Sequence, residues 1–260
     1  APNERNLSNH IVLPGLINNH AHTPMNLLRG LADDLPLMEW LNNSIWPAEK
    51  NTINSESAQV GSTLAISEMI RGGITCFNDH YPFPFSARTA AIEAGIRACI
   101  GLSVINVETG WSKNEADTLA QSTRILEDHH HHPLIQWALA PHSPYAVSDA
   151  AFTEIKALSH EHNIPIHLHL HETLAEIEMS MENYRMRPIE RLHRLGIIND
   201  KLIAVHMVHL DPAEIDLIAQ QGTHVVLNPQ SNLKLGSGIA PIAKMQNAGI
   251  NLSFGTDGAA

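Results

Sequence analysis

Short apolar or β-branched runs alternate with longer stretches of helical period along most of the chain. The runs fall at 15–19, 74–78, 96–104, 134–140, 164–170, 202–206, 224–228 and 250–255. Each pair is joined by Gly, Pro, Asn or Asp, and their length and composition predict strands. Between them, 54–71 carries apolar residues at Val60, Leu64 and Ile70 and stops at Gly72-Gly73, a helix ending. The segments 114–128, 148–162, 211–221 and 239–248 read the same way, with Ser148 and Asp211 as N-caps. About eight strand–helix alternations in about 250 residues predict a (β/α)8 barrel. The rival, an open doubly wound sheet, more often carries a glycine-rich phosphate turn, and neither Gly-x-Gly-x-x-Gly nor a P-loop occurs. The chain does not begin with Met, enters its first strand almost at once and stops just after Phe254-Gly255-Thr256-Asp257. The expectation is one barrel domain over 1–260, cut at both ends and lacking the eighth helix, with apolar flank left uncovered.

Composition narrows the partners. With 260 residues, 43% of them apolar, the chain can bury a large core. Lys+Arg number 16 against 27 Asp+Glu, a net charge of −11. That charge disfavours nucleic acid, which needs a basic face, and equally an anionic membrane surface. No window approaches the ~18 apolar residues of a membrane span, and no charged-then-apolar leader is present, so the expected compartment is the cytoplasm. Cys76 and Cys99 lie in apolar runs and read as reduced core residues rather than a disulfide. The 18 histidines outnumber Lys+Arg.

In such a barrel the chemistry gathers at the C-terminal ends of the strands. The first strand ends in His20-Ala21-His22, whose i, i+2 spacing puts both imidazoles on one face, within reach of one ion. The fifth reads Ile166-His167-Leu168-His169-Leu170-His171-Glu172, so alternation places three histidines on one face and the aliphatics on the other. Spacing does not choose among them, although His169 and His171 stand nearer the strand end than His167. The sixth strand ends at His206, with His209 beyond it, and the eighth at Asp257. Singly, each has an ordinary reading as a satisfied core imidazole or a loop cap. Together they form a donor set of neutral imidazoles and a carboxylate, suited to one Zn²⁺, with Fe²⁺ as the other candidate. Such a cation ionises water near neutral pH; Asp257 can take that proton, and Glu172 can deliver protons to the attacked or leaving group.

At these residues the chain resembles the amidohydrolase superfamily. The likeness rests on Leu13-Pro14-Gly15-Leu16-Ile17-Asn18-Asn19-His20-Ala21-His22, on Met25 through Pro36 with Trp40-Leu41, and on His169-Leu170-His171-Glu172-Thr173. It continues through Ser231-Asn232-Leu233-Lys234-Leu235 and Gly255-Thr256-Asp257-Gly258-Ala259-Ala260. The branch resembled holds the 5′-methylthioadenosine/S-adenosylhomocysteine deaminases and the triazine (atrazine-type) chlorohydrolases. The resemblance implies a metal-dependent hydrolase barrel with one metal held by His20, His22, His169 and Asp257. It implies Glu172 as proton shuttle, which selects His169 among the fifth-strand histidines, and His206 as a contact to the water or the attacked group. Glu49, in Ile45-Trp46-Pro47-Ala48-Glu49, would bind ribose hydroxyls, Trp40 would line the pocket, and His142 would touch the adenosyl group. The stretch 106–118 lacks the arginine with which some of these enzymes hold a homocysteine carboxylate, and Pro229-Gln230 replaces a common Pro-Glu pair. The family's small β-sandwich domain, built from segments before and after the barrel, is not in this sequence.

The activity so implied is deamination of an adenosine-type nucleoside, 5′-methylthioadenosine or S-adenosylhomocysteine, to the inosine analogue and ammonia. The alternative within the fold is a triazine chlorohydrolase or aminohydrolase, or a guanine-type deaminase; a homo-oligomer is compatible with either. A reading of another kind makes the run His129-His130-His131-His132 a metal store, and a further one makes the shortened chain inert. The H-x-E with P-C-x-x-C of cytidine-type deaminases, H-E-x-x-H and G-x-S-x-G are all missing.

Overall fold

Parallel pairing runs in sequence order through β1 (Leu16–Ala21), β2 (Ile74–Tyr81), β3 (Arg97–Val104), β4 (Ile135–Pro141), β5 (Ile166–Leu170), β6 (Leu202–His206), β7 (His224–Leu227) and β8 (Leu252–Phe254). This is seen in a computed structural model that describes residues 7–128 and 131–259. A parallel bridge between Ala21 and Asp257 joins the last strand to the first, and the Thr256 and Asp257 N–H groups both donate to the His20 carbonyl at 3.0 Å. Inside that seam Asn18 Nδ2 donates to Thr256 Oγ1 at 2.8 Å, and the Thr256 N–H donates to Asn18 Oδ1 at 3.0 Å. The expected (β/α)8 barrel is borne out, because strands flanked by helices bury both faces and read as continuous apolar runs.

A 3-10 turn at Thr23–Leu28 leads to α1 (Leu37–Trp40), a π-helical turn at Leu41–Ile45 and α2 (Trp46–Thr52). Then come α3 (Ser55–Arg71), α4 (Pro84–Ala94), α5 (Glu115–Glu127), α6 (Asp149–Glu161), α7 (Leu174–Tyr184), α8 (Pro188–Leu195), α9 (Pro212–Gln220), α10 (Pro229–Lys234) and α11 (Ile242–Asn247). Ser148 caps α6 by accepting from the Ala151 N–H at 3.2 Å, and Asp211 with Glu214 forms a reciprocal capping box on α9. α3 forms where its periodicity places it, but Val60, Leu64 and Ile70 are exposed. Its buried face is made of small residues, Ala58, Gly61, Ser62 and Ala65, with Ile66 and Met69. Small residues let the backbones approach: a Cβ on Gly61 would lie 2.7 Å from the Pro24 carbonyl oxygen. α4, α7 and α8 were not expected; α4 buries mainly alanines and gives little amphipathic signal.

Two apolar clusters fill the layer between sheet and helices. One, around Phe77, Ile66 and Ala91, packs α3 and α4 on the first strands; the larger, around Phe152, Leu168 and Ile189, runs round the later strands. A third cluster, with Met25, Trp40, Ile45 and Tyr81, roofs the mouth of the barrel next to β1. Cys76 and Cys99 are unpaired thiols, both half-buried. Leu16 and Ile17 of β1 and Phe254 of β8 are exposed. No helix among the described residues is long and apolar enough to cross a membrane.

Candidate metal centre and active site

Strand ends bring the sequence-predicted donors to one point. His20 and His22 leave β1, His169 stands on β5, and Asp257 follows β8. Asp257 Oδ1 lies 3.2 Å from the Nε2 atoms of both His20 and His22, and His169 Nε2 lies 3.2 Å from His20 Nε2. Donor atoms bound at about 2.0–2.1 Å round a tetrahedral ion stand about 3.3 Å apart, so these separations fit one cation. The outer nitrogens agree. His169 Nδ1 donates to the His142 carbonyl at 2.6 Å, and His22 Nδ1 donates to the His80 carbonyl. A neutral imidazole that donates through Nδ1 carries its lone pair on Nε2, and those lone pairs face the carboxylate and one another. Only a cation or a shared proton makes that arrangement favourable.

Electrostatics point the same way. Burial pulls the His20 imidazole down to about 4 against the opposing pull of Asp257. Burial together with neighbouring imidazoles drives His169 well below its ordinary range. Burial also lowers His22, but the Asp257 carboxylate outweighs it and holds the group up. Burial would raise Asp257, yet its contacts with His20 and His22 keep it well below the usual carboxylate range. The centre therefore favours neutral His20 and His169, an ionised Asp257 and positive charge, which without an ion falls to His22.

Three residues at the strand ends adopt left-handed backbone: His171 (φ 53°), His206 (φ 77°) and Asp257 (φ 67°). Strain of this kind gathers where geometry is imposed by surroundings. At His171 it ends the β5 alternation. His171 turns out of the site, its Nδ1 donating to the His209 carbonyl at 3.0 Å and its Nε2 accepting from the Ile189 N–H at 3.2 Å. His167, inside the barrel below His169, places Nε2 2.9 Å from His20 Nδ1. Alternation thus leaves His167 and His169 on the barrel's inner side and removes His171, which strand spacing had favoured over His167.

The next residue, Glu172, is buried beside His206, with Oε2 3.6 Å from Nε2. Ser237 Oγ lies 3.4 Å from Glu172 Oε1. Burial raises the Glu172 carboxyl above its ordinary range, with His206 opposing. His206 Nε2 also stands 3.8 Å from Asp257 Oδ2, and its Nδ1 donates to Asn232 Oδ1 at 2.8 Å, which fixes the ring.

These groups floor a cavity of about 550 Å³. Trp40, Glu49 and His142 line it, as do Tyr81, Leu41 and Ile45. Leu41, Ile45 and Glu49, at i, i+4 spacing through the π turn and α2, share the face that lines the wall. Tyr81 O–H donates to Glu49 Oε1 at 2.5 Å, and burial raises the Glu49 carboxyl against that bond. Trp40 Nε1 donates to the Ala32 carbonyl at 3.2 Å, leaving the indole ring to the wall.

His80, Tyr81, Asn232 and Ser237 carried no role in the sequence reading. His80 sits at the end of β2, its ring stacked on His169 at 4.6 Å between centroids. The rule that strand ends carry the chemistry would have found it, had the second strand been drawn to Tyr81 rather than to 78. Of the histidine run, His129 and His130 lie outside the described residues, and His132 accepts the Leu134 N–H through Nδ1 at 3.3 Å. Among the described residues the metal-capable clusters all include His20.

The sequence profile of the amidohydrolase family matches residues 11–260. A 5-methylthioadenosine/S-adenosylhomocysteine deaminase of Saccharophagus degradans is 42% identical over 254 residues, 98% of this chain and 57% of that protein. A 5′-deoxyadenosine deaminase of Methanocaldococcus jannaschii is 44% identical over 251 residues, 96% of this chain and 60% of that one. The chain thus spans under two thirds of the length of these curated relatives. An adenosine deaminase from Xanthomonas campestris, solved with bound zinc, superposes with a TM-score of 0.92 at 47% identity, over 95% of this chain and 56% of that one.

Proposed function

The chain belongs to the amidohydrolase family, and from that premise we propose that it forms the catalytic barrel of a metal-dependent hydrolase that deaminates an adenosine-type nucleoside. Its substrates are 5′-methylthioadenosine, S-adenosylhomocysteine or 5′-deoxyadenosine, and its products the inosine analogue and ammonia. The observation that carries this reading is a chain of 3.2 Å separations, His169 Nε2 to His20 Nε2 and both His20 and His22 Nε2 to Asp257 Oδ1, at the floor of a cavity of about 550 Å³.

His20, His22, His169 and Asp257 would hold one Zn²⁺ or Fe²⁺, which when bound lowers the pKa of water from 15.7 towards about 7. The chain's own groups then divide the work. Asp257 accepts the proton that the attacking water loses. Glu172, whose carboxyl burial favours in its protonated form, gives its proton to N1 of the purine as C6 is attacked. It then takes the proton of the new C6 hydroxyl and passes it to the amino group, which leaves as ammonia as the C6–N bond breaks; the proton held by Asp257 restores Glu172. His206, its Nδ1–H held by Asn232, turns the Nε2 lone pair to accept from the attacking water and orient it. Glu49 offers its remaining lone pairs to the ribose diol, and Trp40 and His142 hold the rest of the nucleoside. An acidic chain suits a substrate without phosphate.

The test is turnover. Full-length protein loaded with zinc is offered 5′-methylthioadenosine, S-adenosylhomocysteine, 5′-deoxyadenosine, guanine and a chlorotriazine, with ammonia and chloride release followed. Ammonia from at least one adenosine derivative supports the proposal. Turnover of guanine or the triazine alone replaces it with the other reading of the same fold.

A further inference from the structure

Each ligand imidazole of the proposed centre must carry its proton on Nδ1 if Nε2 is to give a lone pair to the ion, and that N–H then needs an acceptor. For His22 the acceptor is the His80 carbonyl, and for His169 it is the His142 carbonyl. Both are main-chain oxygens that no substitution removes. His20 differs. Its Nδ1 lies 2.9 Å from Nε2 of His167, a fully buried side chain one pleat deeper on the inner face of β5.

We infer that His167 is a positioning residue for His20, holding it as the Nδ1–H tautomer so that Nε2 is presented to the cation; this rests on the metal centre proposed above. The direction of the bond follows from the proposed cation, which would take the lone pair of Nε2, an atom that could otherwise carry an N–H donated to Asp257. His20 Nε2 stands 3.2 Å from both Asp257 Oδ1 and His169 Nε2, so with the ion bound its lone pair belongs to the centre and its proton to Nδ1. His167 Nε2 must then accept, which leaves the His167 proton on its own Nδ1. That atom has no hydrogen-bond partner among the described residues, and neither has either ring nitrogen of His80, whose centroid lies 5.3 Å from that of His167. The first histidine of the fifth-strand series does not reach the cavity wall, and although a ring nitrogen of it comes within 4.8 Å of those of His20 and His80, a second group able to hold an ion, its role is instead a supporting one. Its place is one layer below, as the side-chain anchor of a ligand set otherwise anchored on backbone.

The measurement is zinc affinity by chelator competition on the full-length protein, with zinc content and folding followed in parallel, on wild type, His167→Leu and His167→Gln. Leucine fills the space without an acceptor, and glutamine restores an acceptor oxygen. Zinc binding about 10–100-fold weaker in His167→Leu, recovered in large part by His167→Gln, is the expected result. Nitrogen-15 NMR of zinc-loaded wild type should show His167 protonated on Nδ1. A folded His167→Leu with unchanged affinity overturns this inference and leaves the metal centre standing. A wild type that takes up no zinc overturns both. If His167→Leu does not fold, the tautomer decides: an Nε2-protonated His167 overturns the inference and an Nδ1-protonated one supports it.

Discussion

Glu172 and Glu49 face the same cavity with opposite duties. Glu172 is buried against His206 and Ser237, and burial favours its protonated form, the form the proposed reaction needs. Replacing it by glutamine keeps the shape and removes the transferable proton. Glu172→Gln should therefore lower kcat by about 10²–10⁴-fold with zinc content unchanged, and undiminished kcat would remove Glu172 from proton transfer. Glu49 is half-buried, tied to Tyr81 and shares the cavity wall with the donor set. Losing two charge-assisted hydrogen bonds to a diol costs about 1.5–3 kcal/mol each. Glu49→Ala should raise KM for nucleosides at least about tenfold, with a smaller effect on kcat. A 2′,3′-dideoxy nucleoside should be handled alike by both proteins, and a Glu49→Ala penalty that persists with that substrate contradicts the assignment.

At the scale of elements, the loop after β5 is set by α7. Glu176, at the start of that helix, accepts the His171 N–H through Oε1 at 2.9 Å and the Glu172 N–H through Oε2 at 3.0 Å. Burial pushes its carboxyl up to about 8 against those two bonds. A folded-state pKa above the ordinary 4.5 means the folded chain binds the proton more tightly. The stability contributed is complete below about pH 4.5 and is lost as pH rises through about 8. In urea melts across this range the stability of wild type relative to Glu176→Gln should fall as pH rises, whatever the other titrating groups add to both; parallel curves would contradict it. Likewise Gly61→Leu, forcing a side chain against the Pro24 carbonyl, should cost about 1–3 kcal/mol in the same melts, whereas no loss would mean that α3 does not pack as described. The strands were legible because both-faces-buried parallel strands are continuous apolar runs. Their ends were not, since no periodicity marks where pairing stops, and three residues of β2 with His80 among them went unread. Alternation carried His167 and His169 correctly but could not foresee the left-handed turn at His171. The face of α3 was misread because packing there favours small side chains over large ones.

Across the whole molecule, residues from the ends of β1, β5 and β8, spread over more than two hundred positions of sequence, act as one site only if the barrel closes. The bridge between Ala21 and Asp257 closes it at the proposed ligands themselves. Fold and metal should thus be linked: a ligand at a hundred times its Kd adds about 2.7 kcal/mol. Prolonged chelation should lower Tm and abolish turnover, and zinc should restore both; an unchanged Tm would contradict the linkage. The most direct test of the central claim is zinc-edge anomalous diffraction from crystals of the zinc-loaded protein. The account predicts one strong peak per chain, bonded at about 2.0–2.2 Å to Nε2 of His20, His22 and His169 and to an oxygen of Asp257. No peak there, or zinc held instead by histidines elsewhere in the chain, would contradict it.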